Sequence, residues 1–168
     1  MTPSQRATPS QRITPFLWFD GQAEEAARFY VSVFKERSRI LGVTRYGEAG
    51  PGPAGSVLTV LFELDGQQLV ALNGGPQFKF TEAVSFSIAC KTQEEVDWSW
   101  DSLSAGGGEQ GPCGWLKDRY GLSWQVVPTI LPELLADPDP RRSQSVMRAM
   151  LQMRKLDVAA LRRAYDEP

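Results

Sequence analysis

The chain has 168 residues, 18 Lys plus Arg against 20 Asp plus Glu, a net charge of −2 and no histidine. Its length suits one domain, or two small modules sharing a core, and its charge offers no basic stripe for nucleic acid. The missing histidine excludes Ser-His-Asp and Cys-His catalysis and histidine-bearing zinc sites, leaving acid–base work to Asp, Glu, Lys, Tyr, Cys or water.

The first twelve residues hold a doubled TPSQR pentapeptide, polar and without a core pattern, which predicts a disordered tail over residues 1–12. Ile13–Phe19 is apolar and aromatic and predicts a buried strand. Asp20 is placed to cap a helix, along which Ala23, Ala26, Ala27, Tyr30, Val33 and Phe34 recur at helical spacing. Arg39–Tyr46 reads as a strand and Gly47–Gly55 as a loop. Ser56–Leu64 and Gln67–Asn73 read as strands joined by the hairpin turn Asp65-Gly66.

Ala83–Cys90 predicts a further strand, and Thr92-Gln93-Glu94-Glu95 a capping box opening a helix with Val96, Trp100 and Leu103 on one face. Gly106–Gly108 stops it. Two short strands follow, Gly111–Leu116 and Leu122–Val127, around a turn at Asp118–Gly121. The remainder is helical: a turn at Pro132–Leu135, a stripe of Val146, Met147, Met150 and Leu151, and a last helix capped by Asp157. No apolar run can cross a bilayer and the start lacks the apolar stretch of a signal peptide, so a cytoplasmic protein with no membrane or nucleic-acid partner is expected.

Phe16–Tyr30 laid over Phe86–Trp100 pairs Phe16 with Phe86 and Glu24-Glu25 with Glu94-Glu95, while Leu61, Glu63 and Gly66 fall on Leu116, Asp118 and Gly121. The shared order predicts an α+β fold of two βαβββ modules, residues 13–75 and 82–128, forming one domain over 13–128. A helical extension would follow over 129–168. Pairing the modules would bury their thin cores and leave a cleft.

Ile13–Tyr30 (ITPFLWFDGQAEEAARFY) and Leu116–Val127 (LKDRYGLSWQVV) resemble the opening and closing segments of the vicinal oxygen chelate superfamily, which holds glyoxalases, bleomycin-resistance proteins and extradiol dioxygenases. Leu72–Phe80 (LNGGPQFKF), Gly111–Trp124 (GPCGWLKDRYGLSW) and Leu131–Asp139 (LPELLADPD) are similar to its PhnB-like branch, often labelled demethylubiquinone methyltransferase. The resemblance implies a glyoxalase-like fold, a small-molecule ligand and a homodimer.

Metal enzymes of the superfamily hold a divalent ion through His, Glu or Gln from the first and last strands of each module. The matching positions here are Thr14 or Pro15, Val70, Val84 or Ser85, and Gln125. One neutral amide cannot hold an ion that wants several anionic or imidazole ligands, so no metal is expected. The methyltransferase label has no support either. A Rossmann-type donor site needs a Gly-rich turn between strand and helix, and Gly106–Gly108 follows a helix, so no cofactor is expected.

The implied ligand pocket centres on Gln125, with Ser123 and Val127 beside it by strand alternation. Phe16 and Trp18 would line the opposite strand, Phe86 would take their part in the second module, and Asn73 would sit near the mouth. Cys113, between Pro112 and Gly114, is a candidate thiol, reactive only if a cation lowers its pKa. The reading is a metal-free protein that binds or transforms a small molecule. The alternatives are a non-catalytic sequestering protein of the bleomycin-resistance type and a metal-dependent lyase or dioxygenase, which the ligand count disfavours.

Overall fold

The computed structural model describes residues 11–168, so the expected tail lies outside the described residues except for Gln11 and Arg12. Gln11 is tied down. Its side-chain amide donates to the carbonyl of Gln68 at 2.8 Å and accepts from the same residue's N–H at 3.0 Å, as a strand neighbour would. The described residues form two compact units, one ending at Lys79 and one spanning Phe80–Pro168.

In the first unit, β1 (Phe16–Phe19) leads to helix α1 (Ala23–Phe34), then β2 (Arg39–Arg45), β3 (Val57–Leu64) and β4 (Gln67–Asn73). The sheet order is β1-β4-β3-β2, with β1 parallel to β4 and the other pairs antiparallel. β1 begins three residues later than expected because Pro15 has no N–H for a ladder; its carbonyl still accepts from Val70. Small Ala23, Ala26 and Ala27 let α1 lie close on the sheet, where Tyr30 stacks on Phe62 with ring centroids 6.3 Å apart. Full burial of a side chain such as Phe62 contributes about 1.5–3 kcal/mol. Asp65 and Gly66 take φ of 45° and 85°, the pair of positive values that a type I′ hairpin turn demands.

The start of α1 corrects the sequence reading. Asp20 is not its cap, and Gln22 at the N-cap makes no side-chain cap bond. The free N–H of Ala23 donates instead to Oδ1 of Asn73, at 2.9 Å from the end of β4. Asn73 Nδ2 donates to the Val57 carbonyl at 3.0 Å, and the Tyr46 hydroxyl donates to the Asn73 carbonyl at 2.7 Å. Asn73→Ala should therefore lose a cap and a strand tie together and destabilise the protein by about 1–2 kcal/mol. Urea unfolding checks this: the midpoint falls while the slope stays unchanged.

The second unit repeats the plan with β5 (Ser85–Cys90), α2 (Gln93–Ser104), β6 (Glu109–Gln110), β7 (Trp115–Lys117) and β8 (Ser123–Pro128). Its sheet order is β5-β8-β7-β6, with β5 parallel to β8. The expected α+β class of two βαβββ modules holds. The capping box forms, with Thr92 Oγ1 accepting from Glu95 N–H, although Glu95 reaches back to Lys91 N–H rather than to Thr92. Of the strand expected at Gly111–Leu116 only Trp115 and Leu116 are in a strand, β7, and residues 111–114 form a loop between β6 and β7. Pro112 lacks an N–H, Cys113 and Gly114 have φ of 55° and 83°, and their N–H groups donate to Met153 and Arg154 carbonyls instead.

Three helices close the chain, α3 (Ile130–Leu135), α4 (Pro140–Leu151) and α5 (Val158–Asp166), the last capped by Asp157 as expected. Leu131, Leu134, Val146, Leu156 and Leu161 form their buried cluster, with Met150 packed against it. Only half of the expected α4 stripe faces this cluster, since Met147 and Leu151 are exposed.

The two modules are equivalent element by element but not at a constant offset. Phe19 and Cys90 end the first strands, opposite Asn73 and Pro128. The connection from β1 to α1 is one residue longer than that from β5 to α2. This single residue decides which side of the second sheet Phe86 faces.

Candidate functional site

Side chains alternate across a strand, so α1 and α2 each cover one face of their sheet and leave the other open. In the first unit Leu17 and Phe19 are buried against α1, which puts Phe16 and Trp18 on the open face as expected, beside Val70 and Leu72. Phe16 is 62% exposed. Trp18 is braced: its indole N–H donates to the Gly75 carbonyl at 2.8 Å, and its ring meets Phe78 edge-on at 4.9 Å. Asn73 borders a cavity of about 550 Å³ in this unit, but both ends of its side-chain amide are already engaged.

In the second unit the helix side is fixed by buried Cys90, Leu116, Trp124 and Val126 against Val96, Trp100 and Leu103 of α2. Phe86 is in register with Trp124 and lies 5.5 Å from it, ring to ring, so Phe86 faces the helix. The expectation that it shares an open face with Gln125 is corrected. Two residues back from buried Cys90, and two again, alternation puts Ile88 and Phe86 on the Cys90 side.

Gln125 does face the open side. It is half-buried, in register with Ser87 and Trp115, and its Nε2 donates to Ser85 Oγ at 2.9 Å. Val127 follows it on this face and packs against the C-terminal cluster, so the extension covers that end of the strand. At the other end Ser123 is in register with Lys117. Here a cavity of about 440 Å³ is lined by Glu82, Glu109, Gly111, Trp115, Lys117 and Ser123 among others, a size that suits a small ligand.

The cavity holds one ion pair and one unusual hydroxyl. Lys117 Nζ is hydrogen-bonded to the Glu82 carboxylate, which holds Glu82 below the usual carboxylate range and Lys117 above the usual lysine range. Ser123 is 1% exposed, and its Oγ has no hydrogen-bond partner among the described residues. A buried hydroxyl without a partner is uncommon. The hairpin carrying these groups turns on Asp118, 3% exposed, whose Oδ1 accepts from Tyr120 and Leu122 N–H and whose Oδ2 accepts from the Trp124 indole at 2.9 Å.

Of the residues lining this cavity, sequence reasoning named Ser123 and missed Glu82, while Gln125 lies on the same face outside the lining. No local signal marks a residue that meets Lys117 only after folding. Cys113 is half-buried in the loop before β7, at the strained φ of 55°. Cys90 is buried, and burial pushes its thiol up to about 11.

At the positions where metal ligands were implied, Val70 offers no donor, and Gln125 offers an amide oxygen beside the hydroxyls of Ser85 and Ser87. Among the described residues no group of three or more Cys, Asp and Glu is placed to hold an ion. One amide with neutral hydroxyls does not fit a divalent ion of the superfamily kind. Gly106–Gly108 joins α2 to β6, so it is no strand-to-helix phosphate turn.

The family model described as 3-demethylubiquinone-9 3-methyltransferase matches residues 11–127. A Bacillus cereus protein described as a 3-demethylubiquinone-9 3-methyltransferase, PhnB protein, is 38% identical, over 70% of this chain and 99% of its own, with a TM-score of 0.62. Protein PA1353 from Pseudomonas aeruginosa is 21% identical, over 71% of this chain and 98% of its own, with a TM-score of 0.58. The fosfomycin resistance protein FosX from Listeria monocytogenes is 15% identical, over 77% of this chain and 100% of its own, at a TM-score of 0.55. The last two share the fold. No curated protein matches the chain significantly.

Proposed function

We propose that this chain, which belongs to the 3-demethylubiquinone-9 3-methyltransferase (PhnB-like) family of the vicinal oxygen chelate superfamily, binds a small molecule on the open face of its second sheet without a metal ion. The observation that carries the reading is the cavity lined by Trp115, Lys117 and Ser123, whose Ser123 hydroxyl is unpartnered among the described residues; Gln125 follows on the same sheet face, in register with Trp115. Trp115 supplies an apolar wall, and Gln125 keeps Oε1 available to a donor while its Nε2 is held by Ser85. The donor set around Gln125 supports binding through hydrogen bonds rather than through an ion.

A thermal-shift screen of metabolites, quinones and antibiotics tests this. A hit should bind Gln125→Ala about tenfold more weakly, the loss of one well-made hydrogen bond. Hits that bind the variant as well as the wild type would remove Gln125 from the site. Turnover of the hit then separates an enzyme from a sequestering protein. Folding brings two carboxylates, Glu82 and Glu109, to this cavity, and the ion pair of Glu82 with Lys117 leaves Glu82 a weak base near neutral pH.

The reading includes a homodimer and a cytoplasmic location. Support for the dimer is the exposure of Met147 and Leu151 on α4, apolar side chains that a partner surface would cover. Sedimentation at micromolar concentration should give twice the chain mass, and a monomer mass would overturn it. Among the described residues no helix is long and apolar enough to cross a membrane.

A further inference from the structure

The cavity of the second unit carries information about the charge of its ligand, an inference that rests on the binding reading above. Lys117 and Ser123 are register partners on adjacent strands, so their side chains emerge side by side on one face. Both can donate to one acceptor. Ser123 lines the cavity, and its buried Oγ has no partner among the described residues. Lys117 has a partner, but a displaceable one. The Glu82 side chain is 62% exposed, lies ahead of β5 outside any strand or helix, and holds Lys117 as a surface ion pair. Exposed pairs of this kind add little to stability, so exchanging one carboxylate for another loses little.

We infer that the cavity takes a small planar carboxylate, whose anionic end replaces Glu82 on the Lys117 ammonium and accepts from the Ser123 hydroxyl while its ring lies on Trp115. Glu82 is then an internal stand-in for the ligand. Carboxylate oxygens have lone pairs enough for both donors, and charge-assisted bonds to an ammonium are the stronger kind. Trp115 is half-buried in the same wall and offers a flat apolar surface for the remainder of the ligand. Glu109, opposite Lys117 on β6, opposes a second negative charge. It restricts the ligand to a monoanion.

Benzoate and its neutral isostere benzamide are the probes, titrated into isotopically labelled protein and followed at the Trp115 indole resonance. Benzoate should bind the wild type more tightly than benzamide. Glu82→Gln, a change at an exposed side chain, should tighten benzoate about three- to tenfold by removing the competitor and leave benzamide unchanged. Lys117→Met should weaken benzoate about tenfold or more and benzamide by less, with backbone amide resonances outside the cavity unchanged, which shows that the fold is intact. Benzoate no tighter than benzamide in Glu82→Gln, or undiminished in Lys117→Met, overturns the carboxylate assignment while the binding reading stands. If neither probe moves the Trp115 resonance in the wild type or in Glu82→Gln, the cavity itself is not the site and both readings fall.

Discussion

Replacing Asp118 with alanine should lower the free energy of unfolding by about 3–4 kcal/mol, since hydrogen bonds to a charged acceptor contribute roughly 1.5–3 kcal/mol each and lost partners stay buried. The donors that converge on this carboxylate include two backbone N–H groups of its own turn and the indole of Trp124, itself only 3% exposed. The turn can relax and let water reach the Tyr120 amide, but the indole cannot follow without leaving the core. Asp118→Asn separates these contributions. Asn can keep Oδ1 toward the two amides, yet it then presents N–H groups to the Trp124 N–H, donor against donor, so about 2 kcal/mol should be lost. Urea unfolding of the two variants checks the order. A loss below about 1 kcal/mol for Asp118→Ala would mean that the carboxylate is not the anchor of the hairpin. The effect reaches the site, because Lys117 and Ser123 flank this turn. Ligand affinity should fall in Asp118→Asn even where the protein remains folded.

Features carried by a few adjacent residues were legible in the sequence. The α2 capping box, the Asp65-Gly66 turn and the apolar spacing of α1 each appear where expected, since each depends on local sterics or on one helical turn. Features that depend on where two distant segments meet were not. Nothing near Asn73 says that it will cap a helix fifty residues earlier in the chain, and nothing near Glu82 points to Lys117. Phe86 shows the intermediate case. Alternation along its strand was correct, but its absolute face hung on a loop that differs by one residue between the modules, and a shift of one residue turns every side chain to the other side. Gln125 escaped this because Leu116, Trp124 and Val126 mark the buried side of its own strand pair. The same limit applied to the loop before β7. Pro112 and Gly114 are breaker signals that the apolar Trp115-Leu116 pair outweighed, and the partners that make the break worthwhile, the Met153 and Arg154 carbonyls, lie some forty residues away.

That loop is the place for the second large effect. Gly114→Ala should destabilise the protein by about 3–5 kcal/mol, combining left-handed backbone strain of roughly 1–2 kcal/mol with an overpacked core. Gly114 has φ of 83°, and a Cβ there would lie 2.7 Å from the Val126 carbonyl oxygen and 3.1 Å from Cδ1 of Leu156. Neither neighbour can yield freely. Val126 N–H donates to the Gly114 carbonyl at 2.8 Å, so the two backbones are held together, and Leu156 is fully buried in the C-terminal cluster. Gly121→Ala isolates the clash. Gly121 has φ of 87° with nothing within 4 Å of its added Cβ, so it carries the backbone strain alone, about 1 kcal/mol. The difference between the two variants in urea is the contribution of the contact between loop and extension. Equal losses would show that the loop can move away from Val126 and that the C-terminal helices do not depend on it. If the contact is as tight as the geometry requires, Gly114→Ala should also speed hydrogen exchange in α5, because the Gly114 N–H holds the Arg154 carbonyl at 2.7 Å just before that helix. Gly121→Ala, remote from that bond, should leave α5 protected.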